Sequence, residues 1–336
     1  MAVKVAINGF GRIGRLVMRA IIEARRDDIE VLAINDLGPV ETNAHLIKYD
    51  SVHGRLPHDV TTGEGWLDAG TGRVKVFAER DPAKLPWRDL GVDVALECTG
   101  IFTKREAAAK HLEAGAKRVL VSAPADGVDL TVVKGVNDDH ISAEHHVISC
   151  ASCTTNCLAP VAYVLHEAIG IERGYMTTIH SYTGDQQTVD TLHKDLRRAR
   201  AAGLSMIPTS TGAAKAVGLV LPALKGKLDG TSIRVPTPDV SLIDLTFTSA
   251  RDTSVEEING AMVEAAGSAR FKGVLAVTKE KLVSCDFIHD PHSATFDLTQ
   301  TVVLEKRFAR VMAWYDNEWG FSNRMLDVAA AIGRTL

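Results

Sequence analysis

Residues 3–36 read VKVAINGFGRIGRLVMRAIIEARRDDIEVLAIND, and this stretch decides the fold. It opens with a short run rich in Val and Ile, then meets a glycine cluster. Apolar residues follow at Ile13, Leu16, Val17, Ala20, Ile21 and Ala24, the spacing of one helix face. A second apolar run, residues 30–35, ends at Asp36. The unit is strand, glycine turn, helix, strand. In that setting Gly9-Phe10-Gly11-Arg12-Ile13-Gly14 fits the dinucleotide fingerprint, with Asp36 following Gly14 by 22 residues. Gly9 permits the tight turn, Gly11 lets a pyrophosphate approach the backbone, and Gly14 lets the helix pack on the strand. The phosphates would sit at the helix N-terminus, where N–H groups and the dipole favour an anion. Asp36 accepts hydrogen bonds from a ribose 2′-OH and repels a 2′-phosphate. The competing reading is a glycine-rich turn with no ligand.

The β/α alternation continues through apolar strands at 92–97, 117–122 and 146–149, with a helix over 104–114 ending at Gly115. Such strands predict a parallel sheet covered on both faces. After about residue 150 the pattern changes. A helix is expected at 153–168 and strands at 174–180, 231–236, 239–248, 298–304 and 309–315. Further helices are expected at 212–224, 254–267 and 320–333. Alternation of polar and apolar positions in several of these strands predicts a mostly antiparallel sheet. Residues 181–210 show no period and read as a long, ordered, functional loop. The fold class is therefore α/β: a Rossmann dinucleotide-binding domain, then an α+β catalytic domain, with the boundary near residue 151.

The 336 residues suit two domains. Lys and Arg number 38 against 42 Asp and Glu, a net charge of −4, which weighs against a dedicated nucleic-acid binder. No run approaches a membrane span, and the N-terminus does not read as a signal peptide. The five cysteines, at 98, 150, 153, 157 and 285, make a poor disulfide framework and no metal-ligand set, which points to a reducing cytoplasm.

Cys153, behind the N-capping residue Ser152, is placed in the first helical turn, where the dipole is expected to lower the thiol pKa. Cys157 lies one turn deeper and reads as a small buried hydrophobe, Cys150 as a strand-end thiol. His180 closes a strand beside Ser181, Thr183 and Asp185 and is the candidate base. His45, His53, His58, His111, His145 and His146 carry no positional argument. The basic run 193–200 reads either as a solvated face or as an anion site. Thr209-Ser210-Thr211-Gly212 at a helix start suits a second anion.

Taken together, NGFGRIGR, Asn35-Asp36, Cys98-Thr99-Gly100, ASCTTNC, the HSYTGDQ run from His180, STGAAKAVG, Arg234-Val235-Pro236 and WYDNEWG resemble the phosphorylating glyceraldehyde-3-phosphate dehydrogenase family over residues 3–328. The resemblance implies Cys153 as nucleophile and His180 as base. It implies NAD contacts from Gly9, Gly11, Arg12, Ile13, Gly14, Asp36, Arg80, Ser122 and Asn317. Thr183 and Arg234 would hold the substrate phosphate, and Ser152, Thr154, Arg198, Thr211 and Gly212 inorganic phosphate. The implied reaction is glycolytic: oxidative phosphorylation of glyceraldehyde 3-phosphate by a cytoplasmic homotetramer. In that reading residues 1–151 bind NAD, joined by a returning C-terminal helix at about 318–336, and 152–317 are catalytic. Cys150, Phe321 and Thr191-Leu192 depart from the family's common residues, and the last loosens the inference of strict NAD preference. The rival readings are erythrose-4-phosphate dehydrogenase and a non-catalytic binding protein on a nucleotide fold.

Overall fold

A computed structural model describes residues 2–336, and the chain divides into two compact units. One comprises the residues up to Ser152 together with Ser322–Leu336, the other Cys153–Phe321.

The first unit is built on a nine-stranded sheet. Val3–Asn8 lies at its centre between Ile29–Asn35 and Val94–Glu97, both parallel to it. Val5, Ala6 and Ile7 are fully buried, as expected for a strand covered on both faces. Beyond Val94–Glu97 come Arg118–Val121, Val147–Ser149 and Leu130–Thr131, all parallel. On the other side Val74–Phe77 continues the parallel set, and Trp66–Asp68 and Thr61–Gly63 then add an antiparallel edge. That edge and the helix Val40–Lys48 fall in a stretch to which the sequence analysis assigns no element.

Helix Arg12–Glu23 buries Leu16, Val17, Ala20 and Ile21. It also buries Arg19, whose guanidinium is satisfied by Glu23 and by the carbonyls of Gly54 and His53. The helix expected over 104–114 is two short pieces, Arg105–Ala108 and Lys110–Glu113. At the joint the Leu112 N–H takes the carbonyl of Ala109, three residues back, which tightens the turn. The C-terminal helix, Trp319–Gly333, belongs to this unit from Ser322 onward. Its last turn lies against the first strand: a Cβ on Gly333 would stand 2.0 Å from Val3 Cγ2. Asp327 anchors it by accepting from Arg26 at 3.0 Å.

The second unit carries an eight-stranded sheet. Ile171–Ser181 sits centrally, parallel to Leu228–Val235 and antiparallel to Ser241–Ser249. Phe308–Tyr315, Ala294–Asp297 and Leu275–Thr278 follow outward, and only the last pair is parallel. Ile207–Ser210 forms the opposite edge, and Val302–Leu304 pairs with Phe308–Tyr315. The sheet is thus mostly antiparallel, as its sequence alternation predicts. Helix Cys153–Ile169 packs on it and runs through Pro160. One intrahelical bond is lost there, but fully buried Leu158, Val161 and Leu165 hold the helix in place.

Several expectations need correction. Residues 212–224 form a helix only over Ala213–Val220, because Pro222 has no N–H to continue the ladder and opens a 3₁₀ turn instead. The loop 181–210 ends in the strand Ile207–Ser210. Only Val302–Leu304 of 298–304 is strand, while Leu275–Thr278 and Ala294–Asp297, four residues each, were too short to show a period.

Candidate active site

At the carboxyl ends of the first unit's central strands lies a cleft of about 490 Å³ lined by Gly9, Gly11, Asp36, Arg80 and Thr99 among others. Gly9 has φ +90°, and a Cβ there would meet the Thr99 nitrogen at 2.7 Å. A Cβ on Gly14 would lie 2.1 Å from the Gly9 carbonyl oxygen, whereas one on Gly11 would meet nothing within 4 Å. The turn is therefore crowded at its first and third glycines and open at its second, where a pyrophosphate would approach. No side chain caps helix Arg12–Glu23 and no acid occupies its first turn, so the helix itself offers its N-terminus to an anion. These features fit a dinucleotide.

Asp36 faces the same cleft. Its Oδ2 accepts from the Phe10 N–H at 2.8 Å and its Oδ1 from the Gly38 N–H at 2.9 Å, which fixes the carboxylate and leaves lone pairs for hydroxyls. Arg12 binds Asp50 at 2.5 Å, and Ile13 stands half-buried beside it in the first turn. Ser122 follows Arg118–Val121, gives its N–H to the Glu97 carbonyl at 3.0 Å, and is not among the residues that line the cleft.

In the second unit, Cys153 opens its helix and His180 sits near the end of Ile171–Ser181. Cys153 Sγ and His180 Nε2 are 3.5 Å apart. His180 Nδ1 donates to the Ser181 carbonyl at 2.7 Å, so Nε2 presents its lone pair to the thiol. The Tyr315 ring meets the imidazole edge-on at 5.9 Å, and its hydroxyl bridges Thr154 and Thr178 at 2.8 and 2.9 Å. The Thr154 side chain is thus committed to Tyr315. Burial, then the Arg234 charge, pushes the His180 pKa down to about 3, so the imidazole is neutral near pH 7. Burial also pushes the Cys153 thiol above its ordinary range, against the pull of Arg234 and of the N–H groups at the helix start. The expected lowering by the helix dipole is outweighed, and the resting pair is thiol and imidazole. Cys157 is fully buried with its Sγ 3.9 Å from the Ala313 carbonyl, as a small core residue should be.

The anion residues cluster beside His180. Arg234 Nη1 donates to Thr183 Oγ1 at 2.9 Å and to the Ser181 carbonyl at 3.1 Å, and its Nε is buried with no partner. Thr183 in turn donates to Asp185, whose other oxygen accepts from Arg198 at 2.7 Å. Burial works against the Asp185 carboxylate, but the Thr183 hydroxyl and the two arginines hold its pKa below the usual range. Arg198 also donates to Thr209 Oγ1 at 3.0 Å. Thr209 and Ser210 lie in the edge strand rather than at the helix start. The Thr211 hydroxyl accepts from the Ala213 N–H at 3.2 Å, with Gly212 as the capping residue. Asn317 is buried, and its Oδ1 accepts from Ser181 and Ser241 at 2.8 and 2.7 Å, which fixes its donor end.

Tyr315, Asp185 and Thr209 complete this arrangement; sequence reasoning gave Tyr315 no role, named Asp185 only as a neighbour of His180, and read Thr209 only as part of a helix-start anion site. The only signal was position: Tyr315 in WYDNEWG, Asp185 two residues after Thr183.

Comparison with known proteins agrees with this geometry. Residues 3–105 match the glyceraldehyde 3-phosphate dehydrogenase NAD binding domain, and residues 152–317 match the C-terminal domain of the same family. The chain is 67% identical over 336 residues to a glyceraldehyde-3-phosphate dehydrogenase of Cereibacter sphaeroides, covering 100% of both proteins. It is 68% identical to one of Xanthobacter flavus over 99% of each chain, and 61% identical to one of Zymomonas mobilis over 100% of each.

Proposed function

The chain belongs to the glyceraldehyde-3-phosphate dehydrogenase family, and from that premise we propose how its residues divide the reaction. It is an NAD-dependent oxidoreductase that oxidises and phosphorylates D-glyceraldehyde 3-phosphate to 1,3-bisphosphoglycerate. The unit up to Ser152, with the returning C-terminal helix, holds NAD through Gly9, Gly11, Arg12, Ile13, Gly14, Asp36, Arg80 and Ser122. The unit Cys153–Phe321 performs the covalent chemistry and contributes Asn317.

His180 Nε2 takes the Cys153 proton as sulfur attacks the aldehyde carbon, so the pair ionises when substrate arrives. His180 returns that proton to the developing alkoxide, which gives a neutral hemithioacetal whose phosphate rests on Arg234 and Thr183. His180 then holds the proton of the hemithioacetal hydroxyl as the carbon is oxidised. NAD, when bound, supplies the hydride acceptor. A thioester remains on Cys153. Inorganic phosphate, oriented by Arg198, Thr211, Gly212 and the main chain at Ser152 and Thr154, attacks it and frees the thiol. The N–H groups of Cys153 and Thr154 stabilise the tetrahedral oxyanion.

The observation that carries this reading is the 3.5 Å Sγ–Nε2 approach with Nδ1 tied to the Ser181 carbonyl. Absorbance at 340 nm tests it. Substrate, NAD and phosphate together should give continuous NADH formation, and leaving out phosphate should leave only a burst of about one equivalent per Cys153. Steady turnover without phosphate would contradict the role of the second anion site.

We further propose a cytoplasmic homotetramer. Loop residues Leu192, Leu196, Leu204 and Met206 expose 99%, 82%, 84% and 75% of their surface, a concentration of exposed apolar side chains in one loop that supports a covering partner. The cytoplasmic reading is supported by five cysteines that are all free thiols.

A further inference from the structure

Glu97 closes the strand Val94–Glu97 and is 1% exposed, yet its carboxylate lone pairs are all engaged. Oε1 accepts from the Thr99 N–H at 2.8 Å and from the Thr99 hydroxyl. Oε2 accepts from Asn8 Nδ2 at 2.6 Å and meets His111 Nε2 at 3.0 Å. The proton on that last contact can be placed from chemistry. Trp87 Nε1 stands 3.0 Å from His111 Nδ1, and an indole nitrogen only donates. Nδ1 must therefore carry the lone pair and Nε2 the hydrogen. Trp87 and His111 are fully buried.

The chain of bonds continues toward the cleft. Asn8 Oδ1 accepts from Asn35 Nδ2 at 2.7 Å. The Asn35 amide then brackets the Glu79 main chain at 2.8 and 2.9 Å. One carboxylate thus ties together the ends of Val3–Asn8, Ile29–Asn35 and Val94–Glu97 and the segment after Val74–Phe77. Asn8, Asn35, Glu79 and Thr99 all line the cleft. The Thr99 main chain is also what limits the space at Gly9.

We infer that Trp87 and His111, which do not line the cleft, are positioning residues for NAD: they orient Glu97, and Glu97 holds Asn8 and Thr99 against the glycine turn. An apolar group at 111 would leave a buried carboxylate short of one donor and a buried indole N–H with no acceptor. The strand ends would relax to satisfy them, and the cleft would no longer be set for the dinucleotide.

The inference rests on the NAD reading, and its test separates the two. NAD binding is measured by calorimetry on the intact protein, beside kcat at saturating NAD. His111→Gln offers Glu97 an N–H and Trp87 an oxygen, while His111→Leu offers only bulk. The dissociation constant should rise about tenfold in His111→Leu and stay within about threefold of the parent in His111→Gln, with kcat within about twofold in both. An unchanged constant in His111→Leu, or equal weakening in both variants, overturns the inference. Should His111→Leu not fold, Trp87→Phe removes the indole donor together with part of the buried ring: a rise of about threefold supports the inference and no rise overturns it. A parent protein that binds no NAD would instead refute the cofactor reading.

Discussion

His180 and His111 are both buried imidazoles, and they differ in what their Nε2 atoms meet. His111 has a firm partner on each nitrogen, both at 3.0 Å. His180 has one firm partner, at 2.7 Å, and one soft contact to sulfur at 3.5 Å. The saturated histidine has both nitrogens committed to buried partners, which suits it to hold shape. The half-satisfied one keeps a lone pair facing the one nucleophilic group beside it. Burial alone therefore does not mark a reactive histidine; an uncommitted nitrogen does.

The strongest test of this contrast removes the sulfur. Cys153→Ser should lower steady turnover on the order of 10⁴-fold or more while NAD binding by calorimetry stays near that of the parent. Substantial turnover would place the nucleophile elsewhere. His180→Gln should lower turnover about 10²–10⁴-fold. It should also alter acid stability. The imidazole of the folded parent is pushed from 6.5 to about 3, so between those values the unfolded chain binds a proton that the folded chain refuses. The parent should lose stability as pH falls through that window, and His180→Gln should lose less. Identical pH–stability curves would mean that folding does not lower the imidazole's pKa.

The two arginines should separate the half-reactions. Arg234→Leu should weaken use of any phosphorylated aldehyde by about 10- to 100-fold and spare a small unphosphorylated one. Arg198→Leu should keep the first NADH burst and slow the steady rate by a similar factor. Rapid-quench measurement decides, and equal loss of burst and steady rate in Arg198→Leu would remove that residue from the second step. The smallest effect is expected at Asp36→Gly, which should narrow the preference for NAD over NADP by about tenfold, read as the ratio of kcat/KM values. A parent that uses both cofactors equally would already contradict the role of Asp36.

The sequence was legible where local rules and chemistry coincide. The glycine turn could be read because each glycine answers a steric demand that the backbone imposes locally. Cys153 could be read because a motif places it at a helix start, although its pKa direction could not, since burial depends on residues far along the chain. Arg234 with Thr183 was found by motif, yet the link that the Asp185 carboxylate makes between Thr183 and Arg198 was not, because the ion pair joins residues 13 positions apart in an irregular loop. His111 looked featureless for the same reason: its partners, Trp87 and Glu97, lie 24 and 14 positions away, and no periodicity reports such a meeting. Short strands such as Leu275–Thr278 failed for lack of length.

The loop after Ser181 is closed mainly by its own acids: Asp185 on Arg198, Asp190 on Arg200, and Asp195 on Thr209. Few ladder bonds support it, and it carries Thr183 and Arg198. A segment held this way sits at the low end of local stability, and any anion that joins its arginines adds a tie that the open loop lacks. By mass action, inorganic phosphate at about 100 times its dissociation constant would contribute about 2.7 kcal/mol to the closed form. On the proposed assignment of Arg198, the reactant of the second half-reaction would also be a structural component of the wall that receives it, and the stability of that wall would rise and fall with the phosphate content of the surrounding solution.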